Sequence, residues 1–93
     1  MRTNTQVKKK IKELYAERKK LPEYSNFGDE NWKIIDAEVR ILERFLKNLW
    51  TYGDTKDRLD ELLEDYGGDF PDNQIDKAKC DTYDWLLENI DEL

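Results

Sequence analysis

The sequence predicts an all-α fold: a small bundle of about four helices forming a single domain over residues 1–93. Three observations carry this. Apolar residues recur at intervals of three and four along most of the chain. Only two valines, residues favoured in strands, occur in the chain. Pro22, Gly53 and the Gly67-Gly68 pair cut the periodic pattern into separate segments.

The first helix is expected from about Asn4 to Leu21, opened by Thr3, Asn4 or Thr5 and closed by Pro22. Val7, Ile11, Leu14 and Leu21 form a narrow seam with Tyr15 beside it, and Arg18 interrupts the seam with a charge. The connection from Pro22 to Gly28 is polar and aromatic, and Asp29 stands where an N-cap is wanted, with Glu30 following in the first turn.

The second helix is expected from about Glu30 to Tyr52, roughly 34 Å long at 1.5 Å per residue. Trp32, Ile35, Val39, Leu42, Leu46 and Leu49 make its main stripe, and Ile34, Ile41, Phe45 and Tyr52 make a second one. An apolar arc that wide must meet more than one neighbour, which makes this the long central helix. With the first helix it forms an N-terminal hairpin, and the two shorter acidic C-terminal helices are expected on its wide face.

Gly53 is expected to end the second helix and Asp54 or Thr55 to cap the third, which runs to about Tyr66 and buries Leu59, Leu62, Leu63 and Tyr66. Gly67 and Gly68 stop it. Asp72 or Asn73 then caps a fourth helix reaching nearly to Leu93, with Ile75, Ala78, Thr82, Tyr83, Leu86, Leu87 and Ile90 on its apolar face. Cys80 and Trp85 lie off that face or at its edge.

Composition removes several chemistries. With no histidine among 93 residues, the chain lacks the commonest general base and the commonest metal ligand. Ser-His-Asp and Cys-His arrangements and histidine-containing zinc sites are thereby excluded. Ser25 and Cys80 are the only serine and cysteine, and neither has a histidine to activate it. One cysteine forms neither an internal disulfide nor a thiolate cluster. Asp65, Asp69, Asp72 and Asp76 surround a Gly-Gly loop, but their spacing is not that of an EF-hand, and they read as turn and capping residues. The expectation is a protein without catalytic residues, cofactor or metal. The N-terminal residues hold no signal-peptide core and no apolar run exceeds three residues, so a cytoplasmic location without membrane association is expected.

Charge is distributed unevenly. Residues 1–20 carry eight Lys or Arg against two Glu, a net +6. Residues 21–53 carry four basic against six acidic residues, and residues 54–93 four against fourteen, giving −2 and −10. The total of −6 therefore conceals a strong separation. On the third helix Asp57 and Glu61, Asp60 and Glu64, and Glu61 and Asp65 are like-charge pairs four residues apart, each costing a few tenths of a kcal/mol. Either the basic first helix compensates these charges, or they form a solvated face, or they are a binding surface.

These features point to a non-catalytic protein–protein interaction module, with self-association as a symmetric dimer one form of it. The alternative is an acidic decoy that imitates nucleic acid and occupies a basic groove on a nucleic-acid-binding protein. Its carboxylates are Asp57, Asp60, Glu61, Glu64, Asp65 and Asp69. Trp50 and Trp85, both off the main seams, are either end plugs of the bundle or exposed anchors. The run Val7 to Lys12 is the densest basic stretch, but a pI near 4.7 argues against direct nucleic-acid binding.

Overall fold

The structure, a computed structural model, describes residues 1–21, 30–68 and 71–88. Within them lie four helices: α1 (Asn4–Lys20), α2 (Glu30–Asn48), α3 (Tyr52–Glu64) and α4 (Gln74–Leu87). The expected all-α bundle is what forms. The expected cap Asp29, the aromatic residues Tyr24, Phe27 and Phe70, and the chain beyond Glu88 lie outside the described residues, but α4 itself stops at Leu87, short of the expected reach toward Leu93, with Glu88 as its C-cap. None of the described helices is long and apolar enough to cross a membrane.

Local sequence explains most helix ends. Thr3 caps α1 in a reciprocal box: its hydroxyl accepts from the Gln6 N–H, and the Gln6 side chain accepts from the Thr3 N–H at 2.9 Å. Leu21, which precedes Pro22 in the sequence, is extended, as the residue before a proline prefers to be. Asn73 caps α4 by accepting from the N–H groups of Ile75 and Asp76. Gly67, with φ of 67°, closes α3: its N–H reaches the Glu64 carbonyl, and that of Gly68 reaches the Leu63 carbonyl.

The end of α2 differs from expectation. The helix stops at Asn48, and Leu49 takes the left-handed conformation, φ 52°, that Gly53 was expected to supply. Trp50 donates its N–H to the Phe45 carbonyl at 3.2 Å, the long closing bond of a Schellman turn with Leu49 at its left-handed position. Thr51 then starts α3 at once. Its hydroxyl accepts from the Asp54 N–H, and the Asp54 carboxylate accepts from the Thr51 N–H. This capping box overrides Gly53 as a breaker and leaves it inside the first turn of α3. It also moves Leu49 and Tyr52 off the apolar stripes. They are 74 % and 55 % exposed, whereas the stripes continue to Phe45 and Leu46.

The core is built from Val7 and Leu14 of α1, Val39, Ile41, Leu42 and Phe45 of α2, Trp50 and Leu86. α2 packs against both α1 and α4, which accounts for its wide apolar arc. α3 rests on α4 rather than on α2, so the packing order is α1, α2, α4, α3. α4 is consequently a second interior helix with neighbours on two sides. That is why Cys80 is fully buried and not an edge residue: it shares a flank with Asp76, which accepts a hydrogen bond from the hydroxyl of Tyr66, two residues past the end of α3.

The charged interruption of the α1 seam has a partner. The guanidinium of Arg18 meets Asp36 of α2 at 2.8 Å and lies over the rings of Tyr15 and Trp32, at 4.6 and 5.2 Å. A carboxylate and two aromatic faces thus stabilise a cation inside the hairpin.

Candidate functional site

The carboxylates singled out on the third helix share one surface. Leu59 and Thr55 point α3 into the protein, so positions two residues away from Leu59 on either side must point outward. Asp57, Asp60, Glu61, Glu64 and Asp65 are all exposed there, while Asp69 lies outside the described residues. Only Asp60 has an ion-pair partner among the described residues, Lys56 at 3.0 Å on the same helix. Asp54, Asp57, Arg58 and Glu61 surround a shallow surface hollow of about 230 Å³. Among the described residues, no ion pair joins α1 to α3. The pairs that form are Arg2 with Glu88, Asp36 with both Arg18 and Arg40, Lys56 with Asp60, and Lys79 with Asp76. The basic α1 and the acidic α3 thus stand at opposite ends of the packing order, although Arg2, just before α1, does pair with Glu88, just after α4.

The two watched tryptophans differ. Trp50 is 6 % exposed and stacks into the core, edge-on to Phe45 and tilted against Tyr83, with Arg58 of α3 4.2 Å from its centre. It is a plug and not an exposed anchor. Trp85 is half-buried, with the Arg2 guanidinium 4.4 Å and the Lys10 ammonium 5.9 Å from its ring centre. Arg2 also donates from Nε to the Trp85 carbonyl and from its backbone to the Leu86 carbonyl, both at 2.9 Å. These bonds tie the chain start to the end of α4.

Two polar sites were not foreseen. Where α1, α2 and α4 meet, Lys10, Leu14, Glu38, Leu42, Asp81, Thr82 and Trp85 enclose about 190 Å³. Burial pushes the Glu38 carboxyl up, while Lys10 and the Thr82 hydroxyl, which donates to it at 3.4 Å, pull the other way. A glutamate amid the α2 stripes was the available signal. The second site is a groove between α2 and α4 lined by Lys33, Arg40, Arg44 and Lys79. The charge count of residues 21–53 concealed it, because the acidic residues of that segment offset cations that lie on one helix edge.

Burial and the carboxylates of Asp84, Asp81 and Asp76 push the Cys80 thiol up, away from the thiolate a nucleophile needs. Ser25 lies outside the described residues. Among the described residues, no three of His, Cys, Asp and Glu are grouped as a metal ion requires. No family model, no curated protein and no solved structure matches the chain.

Proposed function

We propose that the protein is a non-catalytic interaction module that binds a basic protein surface through the outer face of α3. The observation that carries this reading is the set of five exposed carboxylates, Asp57, Asp60, Glu61, Glu64 and Asp65, of which only Asp60 is paired among the described residues. A rigid helix bearing such charge attracts a cationic partner at long range and gains from releasing its counterions, as nucleic acid does. A groove that normally holds nucleic acid on another protein is the surface such a face fits. The missing histidine and the buried, disfavoured Cys80 thiol support the non-catalytic part of the reading.

Self-association through the apolar arc of α2 has less support. Val39, Ile41, Leu42 and Phe45 are spent on the internal core. Leu49 and Tyr52 are the large apolar residues left exposed among the described residues, far short of the roughly 800 Å² per partner of a stable interface.

The test is a pull-down from the native cell lysate at low and high salt, comparing the natural chain with Asp57→Asn/Glu61→Gln/Glu64→Gln. A basic protein retained at low salt, released at high salt and lost with the variant is the expected result. Retention that ignores both salt and the substitutions sinks the proposal, as does an empty capture beside a monomer in light scattering.

A further inference from the structure

Against the overall charge of −6, the groove between α2 and α4 is locally cationic. Lys33, Ala37, Arg40 and Arg44 follow one another at spacings of four, three and four, which keeps them on one edge of α2 for about 16 Å. Lys79 faces them from α4, and Ile41, Ile75 and Tyr83 supply apolar surface between the walls. The single carboxylate among the described lining residues, Asp36, is already held by two guanidinium groups, Arg18 at 2.8 Å and Arg40 at 2.9 Å. Lys79 keeps only a loose 3.7 Å approach to Asp76, and Lys33 and Arg44 have no ion pair among the described residues. The groove encloses about 360 Å³, at the small end of the ~300–1,000 Å³ typical of small-molecule sites.

We propose that this groove binds a small ligand carrying two or more linked phosphate groups on a flat aromatic body, the chemistry of a nucleoside polyphosphate. Cations on both walls favour a ligand that enters the groove over an acidic protein surface laid across it. Arg44 and Lys79 grip the phosphates from opposite sides, Arg44 with the forked donor geometry that suits phosphate oxygens. The half-buried ring of Tyr83 and the half-buried Ile75 take the aromatic body, with Ile41 at the floor between them. The exposed lysines of α1, Lys8, Lys9 and Lys12, form an equally basic patch without an opposing wall, and so provide an internal comparison.

The experiment follows the backbone amides of the full chain by nuclear magnetic resonance at ~0.1 M salt, where long-range attraction is largely screened. The probes are adenosine triphosphate and, separately, inorganic tripolyphosphate. Adenosine triphosphate should shift residues 33–44 and 75–83 and saturate below ~1 mM. Tripolyphosphate should bind at the same place about tenfold more weakly, a loss of ~1.4 kcal/mol. Arg44→Gln should weaken binding at least about threefold, and Arg44→Gln with Lys79→Gln about tenfold, with unchanged far-ultraviolet circular dichroism. Shifts centred on Lys8, Lys9 and Lys12, no saturation by ~5 mM, or equal affinity for the two probes would overturn the proposal. So would a folded Arg44→Gln chain that binds as tightly as the natural one.

Discussion

The indole of Trp50 stands edge-on to the ring of Phe45, with centroids 6.4 Å apart and planes at 86°, while its own N–H closes the end of α2 on the Phe45 carbonyl. One residue therefore ends a helix, fills the core and lies beneath Arg58 of the next helix. A side chain of this size, 6 % exposed, has no replacement nearby. Trp50→Ala is expected to lower stability by about 3–5 kcal/mol, much of what a domain of this size has. Urea denaturation followed by far-ultraviolet circular dichroism measures it. A loss below about 1 kcal/mol would mean that the indole is not buried as described.

Leu49 occupies a conformation that costs a residue with a side chain about 1–2 kcal/mol, and its exposed side chain recovers little by burial. Gly53 shows the opposite mismatch. It sits in helical backbone, and a Cβ there meets only the Thr51 hydroxyl, at 3.8 Å. Leu49→Gly and Gly53→Ala should each stabilise the protein, by about 0.5–1 kcal/mol, and should raise the thermal midpoint. Leu49→Val should lower it, because branching at Cβ worsens the left-handed strain. A rise with Val would contradict the turn geometry.

Burial raises the Glu38 carboxyl above its ordinary value of 4.5, and burial followed by the charge of Asp81 does the same for Asp84. Both groups bind a proton more tightly in the folded protein than in the unfolded chain. Their stabilising contribution is complete below the ordinary carboxylate range and is lost as pH rises through the elevated folded values. Glu38→Gln keeps an acceptor for Thr82 without the charge. Its urea midpoint should match that of the natural chain near pH 4 and exceed it at pH 7. A variant less stable at pH 7 would show that attraction to Lys10 outweighs desolvation.

Cys80 is fully buried between α4 and its neighbours, with its thiol pushed up. Its reaction with an aromatic disulfide reagent should wait for opening of the fold and accelerate with urea in step with unfolding. Rapid labelling of the folded chain, at the rate of a free thiol, would be incompatible with this placement.

The existence of the helices and most of their ends could be read from the chain, because caps and glycine stops act within four residues. Thr3, Asn73 and Gly67 do what their residue types predict. The boundary between α2 and α3 could not, because two local signals compete there. Gly53 is the stronger breaker on paper, but Thr51 and Asp54 satisfy two backbone donors at once and Trp50 gains a buried site, together outweighing the strain at Leu49. Of the acidic face, every described member was legible, since outward position follows from helical period once Leu59 is inward. The basic groove was not. It needs Lys79 of α4 opposite Arg40 and Arg44 of α2, residues more than thirty positions away.

By itself, the sequence determined the all-α class, the four helices found among the described residues, the caps at Thr3 and Asn73 and the absence of histidine-based catalysis, since these depend on residue type and short spacing. The tertiary structure decided the packing order α1, α2, α4, α3, and with it the fate of the charges. Because α4 comes between α3 and the hairpin, the cations of α1 do not reach the carboxylates of α3. The separation between the charges of α1 and those of α3 thereby persists in space, while Arg2 and Glu88 pair across the segments. Which helix lies beside which depends on the fit of whole apolar faces, and no short window of sequence contains that information.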